Sequence, residues 1–332
     1  MILEIRDTAN DQLVERLLSE NDGVDLWHEG RHLAVISSKV ARVPDFFLPH
    51  AANAVVCDSD IQLAGRSFQK DVRRVDLGPV SIGGTTGHTA VIAGPCSIES
   101  EEQIRQVAEL LRRQGVRILR AGCYKPRTSP YSFQGMGLKG LELLAKIRDE
   151  FGLAIITEVR DATHVNDVLE HADVVQIGAK AMYDHGILRA CGRSKKPVLI
   201  KRGFGSTLQE FIQAAEFVLS GGNPNVVLCE RGIRTFETKT RFTLDLCGVA
   251  YLKEHTNLPI IVDPSHAMGY AYGVPDLARA SVAMGIDGLL LEVHPRPAAA
   301  KSDASQQLNL AAWEDLLPGL RAVAQSVGRK LV

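Results

Sequence analysis

The stretch TAVIAGPCSIESEEQIRQVAELLRRQG, residues 89–115, decides the fold of this 332-residue chain. An apolar run ends at a Gly-Pro break, a cysteine follows, and Ser100 then opens a segment whose apolar residues recur every three or four positions. That order reads as a buried strand, a short loop and an amphipathic helix. Downstream the same unit recurs with strands in RILRAGCY (117–124), LAIITEV (153–159), VVQIGAK (174–180), PVLIKRG (197–203), NVVLCERG (225–232), LPIIVDPSH (258–266) and DGLLLEVHP (287–295). Segments such as TLQEFIQAAEFVLSGG (207–222) and VPDLARASVAMG (274–285) have helical spacing between them. Continuous apolar strands alternating with helices indicate a parallel sheet covered on both faces. Eight such units predict an α/β protein built on a (β/α)8 TIM barrel.

The first 60 residues read differently. MILEIR, VDLWHE, HLAVISS and NAVVCDS suggest four strands, NDQLVERLLSE a helix and VPDFFLPHA a short second helix. The order βαββαβ is the ferredoxin-like plan. We therefore expect a small ferredoxin-like domain over residues 1–70 and a catalytic barrel over 71–332, with the stretch DLGPVSIGGTTGHTAVI supplying a hairpin at the junction. A net charge of −1 argues against a general nucleic-acid binder. The start has no signal-peptide pattern and no apolar run is long enough for a membrane span. The six cysteines are scattered without a CxxC pair, which fits a reducing cytoplasm.

Each predicted strand ends in chemistry: Cys96, Arg120, Glu158, Lys180, Lys201, Arg231, His266 and Glu292. Each alone has a bland reading, such as a buried thiol or a solvated edge cation. Active sites of such barrels lie at the C-terminal ends of the strands, so together these groups predict a catalytic mouth. Cys96, His266, Glu292 and Asp303 combine a thiol, an imidazole and two carboxylates, a donor set that admits Mn, Fe, Co or Zn. Arg120, Lys125, Arg127, Lys180, Lys201 and Arg231 would repel one another unless anions fill the mouth, which predicts phosphate- and carboxylate-bearing substrates. The loop YKPRTSPYSFQG (124–135) offers Lys125, Arg127, Thr128 and Ser129 as a phosphate cradle.

The ordered motifs GPCSIES, RAG-YKPRTSPYSFQG, TEV, QIGA, KRG, CERGIRTFE, VDPSH, EVHP and SD--Q-L resemble those of 3-deoxy-D-arabino-heptulosonate 7-phosphate (DAHP) synthases, in the branch with an N-terminal ferredoxin-like regulatory domain. The resemblance implies condensation of phosphoenolpyruvate with erythrose 4-phosphate at the entry to the shikimate pathway of aromatic amino acid biosynthesis. It implies a divalent metal on Cys96, His266, Glu292 and Asp303, and phosphoenolpyruvate held by Arg120, Lys125, Lys201 and Arg231, with Ala179 and Lys180 at its phosphate. Arg127, Thr128 and Ser129 would take the sugar phosphate, with Asp263 and Glu158 beside the reacting centre. Lys125 would protonate the aldehyde oxygen, its pKa lowered by the neighbouring cations. A tyrosine or phenylalanine effector and a homotetramer or homodimer are also implied.

Three stretches depart from the pattern. GAKAMYD has Lys180 where the family usually has arginine, KRGFGST has Phe204 where methionine is common, and AMGYAYGVPDL has two tyrosines in place of an arginine pair. They leave open a different aldose phosphate, as in 3-deoxy-D-manno-octulosonate 8-phosphate synthase or a secondary-metabolism variant. A Schiff-base aldolase using Lys180 or Lys201 and a non-catalytic sensor are the other readings.

Overall fold

The computed structural model describes residues 1–125, 129 and 131–332. Its N-terminal sheet contains β1 (Ile2–Ile5), β2 (Val24–His28), β3 (Arg31–Val35) and β4 (Ala51–Val55), in the order β2-β3-β1-β4 with antiparallel neighbours. The helix α1 (Asp11–Glu20) starts where the Asn10 side chain accepts from the Leu13 N–H. Side chains alternate across the sheet as the pleat requires. Met1, Leu3 and Ile5 pack with Val14, Leu17 and Phe47, while Ile2, Leu26, Leu33 and Val35 join the apolar core of the main unit. The small sheet is thus held between its own helix and the rest of the protein.

The expected second helix is a turn followed by a 3₁₀ segment at Leu48–His50. Pro44 and Pro49 flank and interrupt this short stretch, and neither has an N–H for an α-helical ladder.

A hairpin of β5 (Arg74–Asp76) and β6 (Ser81–Gly83) follows. The chain then alternates: β7 (His88–Gly94), α2 (Glu101–Gln114), β8 (Ile118–Arg120), α3 (Leu138–Phe151), β9 (Ala154–Val159), α4 (Val165–His171), β10 (Val174–Ile177) and α5 (His185–Arg193). It continues with β11 (Val198–Lys201), α6 (Leu208–Ser220), β12 (Val226–Glu230), α7 (Leu246–His255), β13 (Ile260–Val262), α8 (Pro264–Met268), α9 (Val274–Ala283), β14 (Gly288–Glu292), α10 (Leu310–Ser326) and a two-residue β15 (Lys330–Leu331). Strands β7 to β14 pair in parallel with their neighbours, and β14 pairs back onto β7, closing an eight-stranded barrel.

The barrel interior explains where the chemistry falls. Inward residues Ile92, Ile118, Ile156, Val174, Leu199, Cys229, Ile261 and Leu290 share one core with Val75, Leu77 and Ile82 of the hairpin. That hairpin covers the end at which Ala90 and Ala154 begin their strands, leaving the C-terminal ends as the mouth. With a period of two, the next inward positions are Gly94, Arg120, Glu158, Gln176, Lys201, Arg231, Asp263 and Glu292. A step of two residues along the strands therefore carries the wall from an apolar layer to one with six charged side chains among its eight positions.

Candidate active site

Gly94 illustrates how tightly this upper ring is built. Its φ of 151° is open to glycine, and a Cβ there would collide with the Arg120 carbonyl. Gly94 thus lets the β8 backbone approach closely, and the Arg120 side chain is buried, its Nη1 donating to the Pro95 carbonyl at 2.7 Å and to Glu292 Oε1 at 2.8 Å. Gly178 plays the matching part across the mouth, because a side chain there would occupy the space of the Glu158 carboxylate. Gln176 donates to Glu158 Oε2 at 2.9 Å and fixes that carboxylate from below.

Cys96, Glu292 and Asp303 present donor atoms that all lie within 4.8 Å of one another. The Cys96 thiol donates to Asp303 Oδ2 at 3.2 Å. His266 Nε2 completes the convergence, 3.4 Å from Glu292 Oε1 and 3.9 Å from Asp303 Oδ2. The four side chains come from the β7 end, the short helix α8, the β14 end and the loop before α10. Asp303 reaches the cluster through a left-handed backbone, with φ at 46°.

The electrostatics of the cluster suit a cation. Burial, with Glu292 and Asp303 nearby, pushes the Cys96 thiol up to about 12. Burial also lowers the His266 imidazole pKa against the pull of Asp263 and Glu292. Asp303 stays below the usual carboxylate range: burial would raise it, but His266, Arg241 and Lys125 outweigh that. An imidazole, two carboxylates and a thiol that can give up its proton to solvent when a cation binds form a coherent mixed donor set for a divalent transition ion.

Behind His266, Asp263 is fully buried. It caps α8 by accepting from the His266 backbone N–H at 3.0 Å, accepts from Lys201 Nζ at 2.6 Å, and lies 2.7 Å from His266 Nδ1. Although burial opposes ionisation, His266 and Lys201 hold its carboxyl well below the ordinary range. Lys125 is also buried, with Nζ 3.1 Å from both the carbonyl and the sulfur of Cys96. Its pKa is raised, contrary to the lowering expected from cation crowding. Burial and the Arg120 charge act downward, but Cys96, Glu158 and Glu292 outweigh them. The expectation counted the cations along the chain and missed the anions folded around them.

Lys125, Glu158, Ala179, Lys180, Lys201, Arg231, His266 and Asp303 line one cleft, together with Phe204 and Arg241. Arg231 is 4% exposed, and among the described residues no carboxylate lies within 4 Å of its guanidinium. It stacks 4.2 Å from the Phe242 ring centroid and touches the Gly232 and His266 carbonyls only at 3.5 Å. Burial accordingly lowers its pKa. Arg120 and Lys201, by contrast, already hold carboxylates. Of the predicted sugar-phosphate cradle, Arg127 and Thr128 lie outside the described residues, while Ser129 has its hydroxyl near the Tyr131 N–H at 3.3 Å.

Sequence reasoning missed Gln176, Arg241, Phe242, Gln306 and Gln307. Gln176 was accessible from the inward alternation on β10. Gln306 stands in the quoted SD--Q-L motif without a role and Gln307 falls on one of its open positions, although Gln307 Oε1 accepts the Cys96 N–H at 2.9 Å. Arg241 sits in a polar loop with no periodic signal.

Residues 68–327 match the family described as the DAHP synthetase I family. A phospho-2-dehydro-3-deoxyheptonate aldolase of Thermotoga maritima is 44% identical over 270 residues, covering 81% of this chain and 79% of the relative. A 2-dehydro-3-deoxyphosphooctonate aldolase of Bordetella petrii is 33% identical over 254 residues, 69% of this chain and 87% of that one. The crystal structure of the Thermotoga maritima phospho-2-dehydro-3-deoxyheptonate aldolase (DAHP synthase) superposes with a TM-score of 0.81 at 37% identity, covering 100% of this chain and 99% of its own. A truncated form of 3-deoxy-D-arabino-heptulosonate 7-phosphate synthase from the same organism gives 0.76 at 40% identity, over 81% and 98% of the two chains.

Proposed function

The chain belongs to the DAHP synthetase I family, and from that premise we propose that it condenses phosphoenolpyruvate with erythrose 4-phosphate to give DAHP and inorganic phosphate. The family activity joins phosphoenolpyruvate to an aldose phosphate, and the chain is an enzyme of that kind. The choice of erythrose 4-phosphate, metal dependence and the residue roles are our reading. The observation that carries it is the buried guanidinium of Arg231, with no carboxylate within 4 Å among the described residues, in the same cleft as residues of the Cys96–His266–Glu292–Asp303 cluster.

In this reading Arg231, Lys201 and Lys180 bind the phosphate and carboxylate of phosphoenolpyruvate, with Ala179 closing the cleft wall beside them. Arg120 acts from beneath, holding Glu292 in orientation. Cys96, His266, Glu292 and Asp303 would hold a divalent ion, which when bound supplies Lewis-acid polarisation of the aldehyde oxygen. C3 of phosphoenolpyruvate bonds to the aldehyde carbon while Lys125 delivers a proton to the aldehyde oxygen. Its raised pKa means that it arrives charged at neutral pH. Water then adds at C2 of the former phosphoenolpyruvate, ordered by Glu158 at the cleft wall, and phosphate leaves by C–O cleavage. Asp263 acts through Lys201 and His266, holding both in place. Arg127, Thr128 and Ser129 are assigned the distal phosphate of the sugar.

We also take residues 1–70 as a regulatory domain and 71–332 as the catalytic barrel, with tyrosine or phenylalanine as effector, assembly as a homotetramer or homodimer, and a cytoplasmic setting. The first unit is fastened to the barrel by Glu216 on α6, whose carboxylate accepts the N–H groups of Gln62, Leu63 and Ala64 at 2.7, 3.2 and 2.7 Å. The chain covers 69% of its own length against an octulosonate relative, so the sugar is the point to test. Phosphoenolpyruvate loss should be followed in Mn-supplied protein with erythrose 4-phosphate and, separately, arabinose 5-phosphate. A kcat/KM at least tenfold higher for erythrose 4-phosphate supports the reading. Preference for arabinose 5-phosphate would replace it.

A further inference from the structure

Glu292 is gripped on both oxygens. Arg120 donates to Oε1 at 2.8 Å, and Gln306 Nε2 donates to Oε2 at 2.6 Å. The other end of the Gln306 amide, Oε1, accepts from Arg241 Nη1 at 2.6 Å, and the same Nη1 lies 3.5 Å from Asp303 Oδ1. Gln306 is 1% exposed, so in the intact protein its amide is satisfied by these two partners. A glutamine amide has one accepting and one donating end, and an arginine can only donate. Arg241 therefore dictates which way the amide faces. With Arg241 in place the NH₂ must point at Glu292; without it the amide can turn its oxygen toward the carboxylate, where two acceptors repel.

We propose that Gln306 and Arg241 are positioning residues for the metal centre: Arg241 orients the Gln306 amide, and the oriented amide fixes Glu292, while the same guanidinium steadies Asp303. This rests on the metal reading given above. Arg241 belongs to the loop between β12 and α7, and its backbone N–H donates to the Met268 carbonyl just beyond His266 at 3.1 Å. One loop residue thus touches the segments that carry His266 and Asp303, and reaches Glu292 through Gln306. Hydrogen-bonded partners of metal ligands tune affinity because they hold the donor atoms at binding geometry before the ion arrives, and removing one costs about 10-fold to 100-fold.

The test uses Co(II) added to chelator-treated full-length protein, without substrates, reading affinity by chelator competition and the thiolate-to-cobalt absorption band of Cys96. Gln306→Leu, which keeps bulk but removes the amide, and Arg241→Ala should each weaken Co(II) binding about 10-fold to 100-fold and alter the band. Arg241→Lys keeps the donor and the charge and should recover at least half of the loss on a logarithmic scale. Because the residues act in series, the double variant should cost less than the sum of the single losses. Parent protein with a thiolate band and both single variants within twofold of it would overturn the relay alone. Lysine no better than alanine would overturn the role given to Arg241. A parent that binds no Co(II) would overturn the metal reading and the relay with it.

Discussion

Replacing Arg231 with methionine should uncouple substrate binding from stability in a way that few active-site substitutions do. The guanidinium is 4% exposed, rests on the Phe242 face, and has no carboxylate within 4 Å among the described residues. In the free enzyme it carries a desolvation cost that an anion would offset. Two forked hydrogen bonds to a phosphate, at about 1.5 to 3 kcal/mol each for charged partners, give a gross loss of about 3 to 6 kcal/mol on removal. Part of that is returned because the methionine enzyme no longer buries an uncompensated charge. The lower end, about 3 kcal/mol, corresponds to a fall of about 100-fold to 200-fold in kcat/KM for phosphoenolpyruvate. Arg231→Lys keeps the charge and loses the fork, so it should fall between the two. Initial rates at saturating aldose phosphate and varied phosphoenolpyruvate measure this, and urea unfolding checks stability. The methionine variant should unfold at or above the parent midpoint. A kcat/KM within threefold of the parent, or a marked loss of stability, would refute the assignment.

Asp263→Ala should do the reverse. It strands Lys201 in the interior, and breaking such a buried pair costs about 3 to 5 kcal/mol, visible as a lower urea midpoint. Lys125→Met removes the proposed proton donor and should cut kcat by at least about 100-fold, read from steady-state turnover. Glu216 gives the pH prediction. Burial raises its pKa to about 7 despite the three backbone N–H groups and Arg73, so the folded state holds that proton more tightly than the unfolded chain. Stability should therefore fall as pH rises from about 4.5 to 7, by at most about 3 kcal/mol from this group. Glu216→Gln should show a flatter profile over that window in urea titrations at successive pH values; an unchanged slope counts against the account.

The barrel was legible because most strands are short, largely apolar runs with polar residues at or just beyond their C-terminal ends. Burial on both faces leaves that mark in any parallel sheet. Their position at the strand ends of the expected barrel assigned Arg120, Glu158, Lys201, Arg231 and Glu292 to one mouth. What lay in loops could not. Asp303, Gln306 and Arg241 meet only because the loops after β12 and β14 fold over the same spot, and nothing in the local pattern of either loop encodes the other. The second helix of the N-terminal unit was over-read because apolar spacing was weighed above the prolines at 44 and 49. The pKa of Lys125 was misjudged for a related reason: its decisive neighbours, Cys96 and Glu158, are 29 and 33 residues away in the chain.

The central claim is that condensation requires one metal ion at the Cys96 cluster. Full-length protein stripped with a chelator should be titrated with Mn(II) while phosphoenolpyruvate loss with erythrose 4-phosphate is recorded, for the parent and for Cys96→Ala. The account predicts no turnover in the stripped parent, a linear rise that breaks at one equivalent per chain, and no break for the alanine variant. Full activity in stripped parent protein, or an unchanged titration without the Cys96 sulfur, would contradict it.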